Sequence, residues 1–226
     1  MLSRRRYMGG KALPYDAEVE YLESTSTSKQ YIDTGITDSW DGLVVTLDIS
    51  VTDATGERDF FGSINPSGGY NYAGCFRNLD KNFVLQIGSP YVRYGQNDGG
   101  RHIHIYDAIN KTCSLDGSTT PASTLTWRGS GNNTFKLFQR VFINGNIQSP
   151  SDNKLYASQF VKDGVLVRDY IPVRVGTIGY LYDKVSGQLF GNAGTGDFIL
   201  GPDKIGGGKS LIINMLCGFS AERRAA

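Results

Sequence analysis

Residues 164–202 read GVLVRDYIPVRVGTIGYLYDKVSGQLFGNAGTGDFILGP, and their pattern decides the fold class. The apolar runs VLV, YIPVRV, GYLYD, QLF and DFIL are each cut off by Gly, Asn, Asp or Ser. Successive antiparallel strands joined by tight turns read this way. At Tyr182-Asp183-Lys184-Val185-Ser186-Gly187-Gln188 the chain must reverse, and Gly187 can take the positive φ that such a turn needs. Asn192-Ala193-Gly194-Thr195-Gly196 repeats the signal one strand later. Three turns in a row with aromatic or branched residues between them do not fit a helix. The stretch is a meander, and the chain is expected to be all-β.

The rest of the chain extends the same pattern in both directions. Leu43, Val45, Leu47, Ile49 and Val51 alternate with Thr46, Asp48 and Ser50, which predicts a strand with one face on a core and the other in water. Phe60-Phe61-Gly62-Ser63-Ile64 is expected to be buried. Further strands are expected around Val19–Leu22 and Tyr31–Thr34, and over residues 70–76, 83–87, 91–95, 101–107, 125–127, 135–138 and 140–143. Asp116-Gly117, residues 129–133, Asn144-Gly145 and Lys162-Asp163-Gly164 are hairpin signals. Twelve to fourteen strands result, which suits a two-sheet antiparallel jelly-roll sandwich.

Composition supports one β domain over residues 15–203 with an arm at each end. The 226 residues include 29 Gly, 13 Tyr and 11 Phe, with no long helical periodicity. Residues 1–14 carry Arg4, Arg5, Arg6 and Lys11 and no acid. Residues 204–226 carry Lys204, Lys209, Arg223 and Arg224 against Glu222. The arms therefore hold +4 and +3, and a net charge of +1 leaves −6 on the body between them. Basic arms on an acidic body point to contact devices. Leu2, Arg4, Arg5, Arg6, Tyr7 and Met8 form the first candidate partner-binding set, in an arm expected to lack structure by itself. The second is Leu211, Ile212, Ile213, Met215, Leu216 and Phe219, which follow the Gly206-Gly207-Gly208 hinge.

Several activities lose their support on inspection. The apolar run 211–219 is interrupted by Asn214 and is about half of what a bilayer crossing requires, so no membrane span is expected. Arg4-Arg5-Arg6 is followed by Tyr-Met-Gly-Gly-Lys instead of an apolar segment, so no secretory signal is read there. Cys75, Cys113 and Cys217 are odd in number and lack metal-ligand spacing, which fits a reducing compartment at synthesis. Gly207-Gly208-Lys209-Ser210 has Asp203 where a phosphate loop needs glycine. The tail cations form no recognisable nucleic-acid module.

Catalysis finds no carboxylate pattern to work with. Glu18 and Glu20 share a face beside the start of the domain but read as solvated edge charges. His102 and His104 share a strand face without a third metal ligand, and are expected to be half-exposed. The chain is expected to be non-enzymatic and without a cofactor. Sugar binding stays open as an alternative: Trp40, Tyr72, Tyr94 and Trp127, with Tyr70 and Tyr91, could stack on a ring. Asp183, Asn192 and Asp197 at turn ends could line a calcium site, although turn formation explains them more simply.

A family resemblance rests on four segments: VRDYIPVR, LYDKVSGQLFGNAGTGDFILGP, EVEYLES and QYIDTGI. Together they resemble the concanavalin A-like, laminin-G-like jelly-roll modules of Bacteroides-group gut bacteria and of the virion proteins of their phages. The resemblance covers roughly residues 15–203 and is carried by the two ends. One departure is visible, since residues 24–30, Ser-Thr-Ser-Thr-Ser-Lys-Gln, lack the glycine of the family's usual S-T-G-T-Q turn and are longer. The resemblance implies a virion structural protein, as head decoration, fibre or tail component, made in the cytoplasm of a bacterial host. Implied partners are other virion proteins and further copies of the chain, with a host-surface glycan as the alternative.

Overall fold

The computed structural model describes residues 7–8, 11–52, 57–64, 75–77, 81–88, 90–128, 132–142, 144–148, 150 and 152–204. Those residues form twenty-two strands and no helix. In chain order they are β1 (Tyr7–Met8), β2 (Lys11–Ala12), β3 (Ala17–Glu18), β4 (Leu22–Ser24), β5 (Ile32–Thr37), β6 (Leu43–Val51) and β7 (Glu57–Asp59). Then come β8 (Phe61–Ile64), β9 (Cys75–Arg77), β10 (Asn82–Gln86), β11 (Tyr91–Gln96), β12 (Arg101–Asp107), β13 (Thr112–Leu115) and β14 (Ser118–Pro121). The last are β15 (Thr134–Leu137), β16 (Arg140–Phe142), β17 (Ile147–Gln148), β18 (Asn153–Lys162), β19 (Val165–Val175), β20 (Ile178–Asp183), β21 (Gln188–Phe190) and β22 (Ile199–Leu200). The count exceeds the expected twelve to fourteen because many strands are pieces of two to four residues.

The largest sheet runs β14-β13-β12-β6-β18-β19-β20-β21, with β3 added to β19 and β4–β22 added to the start of β18. A five-stranded sheet, β17-β16-β8-β15-β5, and a four-stranded one, β11-β10-β9-β7, complete the body. Pairing is antiparallel except between β16 and β8. One apolar core takes side chains from all three sheets, including Leu47, Phe160 and Tyr170 from the largest, Phe61 and Phe135 from the second and Phe83 from the third. The architecture is an all-β sandwich.

Turn chemistry sets the meander. Asp163 (φ 51°) and Gly164 (φ 79°) form a two-residue turn with both φ values positive, joining β18 to β19. Such turns match the twist of the strands they connect. Gly187 (φ 73°) closes the β20–β21 turn, and Asp183 organises it by accepting hydrogen bonds from the backbone N–H of Val185 and Ser186 and from the Ser186 hydroxyl. The runs VLV and YIPVRV lie on one continuous strand, β19. Pro172 sits where β19 has parted from β18, whose pairing ends at Tyr170, and its carbonyl accepts the Val19 N–H. N–H and C=O of one strand residue face the same edge, so the missing N–H costs the β19–β20 ladder nothing.

Two expectations need correction here. Thr46, Asp48 and Ser50 are buried at 5%, 1% and 5% exposure, so the second face of β6 is not in water. This strand is the centre of the sheet, and Arg101 reaches over it to bind Asp48 twice, at 2.7 and 2.6 Å, while lying 4.0 Å from the Tyr156 ring centroid. Residues 125–127 form no strand. They make turns that tuck Leu125 and Trp127 into the core, with Trp127 Nε1 donating to the Ala122 carbonyl. The hairpin partner of β13 is instead the polar, largely exposed β14, joined through Asp116 (φ 49°) and Gly117 (φ 85°).

Candidate functional site: the terminal clasp

The two ends of the body are fastened to each other. Val19 bridges antiparallel to Asp203, Glu20 N–H donates to the Pro202 carbonyl at 2.8 Å, and Lys204 N–H donates to the Glu18 carbonyl at 2.8 Å. On its other edge β3 pairs with β19 through Val173 and Arg174. Arg174 then closes the arrangement by donating from Nε and Nη2 to the two carboxylate oxygens of Asp203, at 2.7 and 2.6 Å. Asp16 ties in the β19–β20 turn, accepting from Gly176 N–H and donating its own N–H to the Arg174 carbonyl. The fork of a guanidinium suits a carboxylate held in two places, and the pair pins the last described residues to the sheet. Residues 1–12 and 205–226 therefore both join the body at this corner.

The corner has an apolar side as well. Ile171, Val173 and Val175 on β19 pair in register with Tyr182, Tyr180 and Ile178 on β20. Tyr170 and Leu181 belong to the main core, so these six side chains form a stripe on the outward face. Leu13 and Tyr15 cover its inner part, with the Tyr15 and Tyr182 ring centroids 5.0 Å apart. At the tip Val175 and Ile178 stay 37% and 50% exposed.

Leu2, Arg4, Arg5, Arg6, Leu211, Ile212, Ile213, Met215, Leu216 and Phe219 lie outside the described residues. Tyr7 and Met8 form β1, which pairs with β2 as Tyr7 to Ala12 and Met8 to Lys11. An arm expected to lack structure thus contains a short hairpin. Met8-Gly9-Gly10-Lys11 is the Gly-Gly signal for it, and sequence reasoning passed over it.

The histidines sit on one face of β12, as expected, but their environments differ. His102 is held between two carboxylates, with Nδ1 2.7 Å from Asp116 and Nε2 2.9 Å from Asp98. Burial pulls its pKa down, but hydrogen bonds to Asp116 and Asp98 outweigh that and hold it above the ordinary histidine value. An imidazolium can donate from both nitrogens at once, and then keeps no lone pair for a metal or a proton. His104 is fully buried rather than half-exposed, because Phe60 and Phe83 of the facing layer pack against it. Burial pushes its pKa down to about 3. Its Nδ1 is 2.8 Å from the Tyr94 hydroxyl, which is 2.7 Å from that of Tyr106. Both rings serve the interior, and neither offers a base to a substrate.

Three of the four candidate glycan-stacking aromatics are corrected. Trp40, Tyr94 and Trp127 are 1%, 5% and 8% exposed, and their rings are spent inside the core. Trp40 alone packs against Phe61, Tyr106, Trp127 and Phe135 at centroid separations of 5.0–6.5 Å. Tyr72 and Tyr70 lie outside the described residues, and Tyr91 is 42% exposed. The candidate calcium ligands act as turn organisers: Asn192 Oδ1 accepts from the N–H of Tyr31 and Gly194, and Asp183 caps its own turn. Among the described residues no group of three or more His, Cys, Asp or Glu could hold a metal ion, and no helix is long and apolar enough to cross a membrane.

What the sequence did not reveal is the clasp itself, because it joins residues from opposite ends of the chain whose types are unremarkable edge residues. No family model and no curated protein matches the chain.

Proposed function

We propose that the chain is a non-enzymatic structural protein of a phage virion, a jelly-roll domain anchored through its two terminal arms and displayed on the particle. One observation carries this reading: Lys204 is bonded to Glu18, so both basic arms leave an acidic body at a single corner. A body held at one corner presents its opposite end outward. Along β19 that end, at Val165, lies nine residues from Arg174, about 30 Å at the rise of a strand. The viral setting comes from the resemblance of residues 15–203, and further copies of the chain are the expected neighbours in the particle. The test is deletion of residues 1–12 or 205–226, scored by incorporation into particles. Loss of incorporation with the body still folded supports the reading, and normal incorporation of both truncations overturns it.

A second reading, capture of a host glycan, now rests on Tyr91. Its ring is exposed on the edge strand β11, with the Arg93 guanidinium 5.9 Å from the centroid. Binding on a glycan array that disappears in Tyr91→Ala supports it, and unchanged or absent binding removes it.

A further inference from the structure

We propose that the exposed tip of the outward stripe, at Val175 and Ile178, is the docking surface for this chain's own C-terminal apolar segment, residues 211–219. The inference rests on the reading of the clasp corner as the contact end, and adds that one of the two anchors is stored there before a partner takes it.

Three observations converge on that occupant. The stripe is an apolar ladder of three register pairs, and the N-terminal segment covers only its inner pairs, through Leu13 and Tyr15. The last pair, Val175 and Ile178, is left 37% and 50% exposed. Next, the chain leaves the body beside it. Lys204 is bonded to Glu18, and Glu18 is the register partner of Val173 in the stripe, so two strand spacings, about 10 Å, separate the exit from β19. Finally, the tether length fits. Residues 205–210, three of them glycine, can span at most about 20 Å, enough to bring Leu211 over the tip and too little to carry it far beyond. The segment then supplies Leu211, Ile212, Ile213, Met215, Leu216 and Phe219, side chains whose exposure to water is unfavourable by about 25 cal/mol per Å². A short tether sets an effective concentration in the millimolar range, well above that of a second copy in dilute solution.

Cys217 lies within the segment and gives a direct test on the intact chain. In a full-length variant carrying Ile178→Cys and Cys75→Ser, Cys113 is buried and the two remaining thiols are those at positions 178 and 217. Treated in dilute solution with a short bis-maleimide, the variant is expected to give a monomer cross-linked between 178 and 217, identified by peptide mass. Cross-linked dimers show that a second copy occupies the stripe and overturn the proposal. Singly modified thiols without a cross-link overturn it as well. In the double variant Val175→Ser, Ile178→Ser, proteolysis between residues 205 and 226 is expected to speed up about tenfold, the effect of a lost contact near 1.4 kcal/mol. An unchanged rate contradicts the proposal. These measurements use the isolated protein, so their failure leaves the deletion test of particle anchoring untouched.

Discussion

Lys204 donates its backbone N–H to the carbonyl of Glu18 at 2.8 Å, which places the start of the C-terminal arm against the first strand of the body. Everything proposed about anchoring follows from that contact and from the Arg174–Asp203 pair beside it.

Asp203→Ala is predicted to loosen the clasp without unfolding the sandwich. The pair is partly solvated, with side-chain exposures of 29% and 48%, so its loss costs only about 0.5–1 kcal/mol globally. Locally the effect is larger, and amide hydrogen exchange at residues 17–20 and 202–204 should accelerate while β6 and β18 keep their protection. Uniform acceleration across the sheet would show that the pair supports the whole fold and not the clasp.

The two histidines predict a stability maximum near pH 6.5. His102 has a raised folded pKa, so its contribution is complete below the ordinary value of 6.5 and is lost as pH rises through the folded one. His104 has the opposite sign: with a folded pKa of about 3, its contribution is present above 6.5 and is lost as pH falls. His102→Gln should flatten the alkaline decline and leave the acid one in place, as read from thermal midpoints between about pH 4 and about pH 9. An alkaline limb identical to that of the unsubstituted protein contradicts the doubly paired imidazolium.

Trp40→Ala is predicted to cost about 3–5 kcal/mol, because it empties the centre of a five-ring cluster in which Trp40 meets Phe61, Tyr106, Trp127 and Phe135. Chemical denaturation measures it. A change below about 1 kcal/mol is the size expected of a surface residue and would return Trp40 to the list of ligand platforms.

Glycines separate close approach from backbone freedom. A Cβ on Gly194 would lie 1.6 Å from the Lys29 carbonyl oxygen, a clash that backbone cannot relieve cheaply. A Cβ on Gly117, at φ +85°, meets nothing within 4 Å. Gly194→Ala should therefore destabilise by about 3 kcal/mol or more, and Gly117→Ala by about 1–2 kcal/mol. The reverse order of denaturation midpoints would mean that the 29–31 and 192–196 segments do not meet as described.

The meander was legible because its turns are local chemistry: Asp163-Gly164 and Gly187 announce positive φ in the sequence itself. β14 was not, since Ser-Thr-Thr-Pro is polar on both faces and an edge strand needs no apolar side chain to form. Alternation correctly placed Leu43 to Val51 toward the core but could not see Arg101 and Tyr156 closing over Asp48, a contact made by side chains of other strands. The same limit hid the burial of His104, which depends on β10 packing above β12. The aromatics Trp40, Tyr94 and Trp127 look alike as core or as platform until packing decides. The clasp depends wholly on which strands meet, and composition carries no trace of that.

The claim that the clasp corner is the contact end and the β18–β19 turn the displayed end is tested most directly by bulky labels. Thr177 is exposed at the clasp corner, and Val165 is 64% exposed at the opposite end. Each is changed to cysteine in a background with Cys75 and Cys217 replaced by serine, coupled to a polymer and offered to assembling particles. The account predicts that the label at 177 blocks incorporation and the label at 165 is tolerated. Incorporation blocked at 165 and unimpeded at 177 would contradict it.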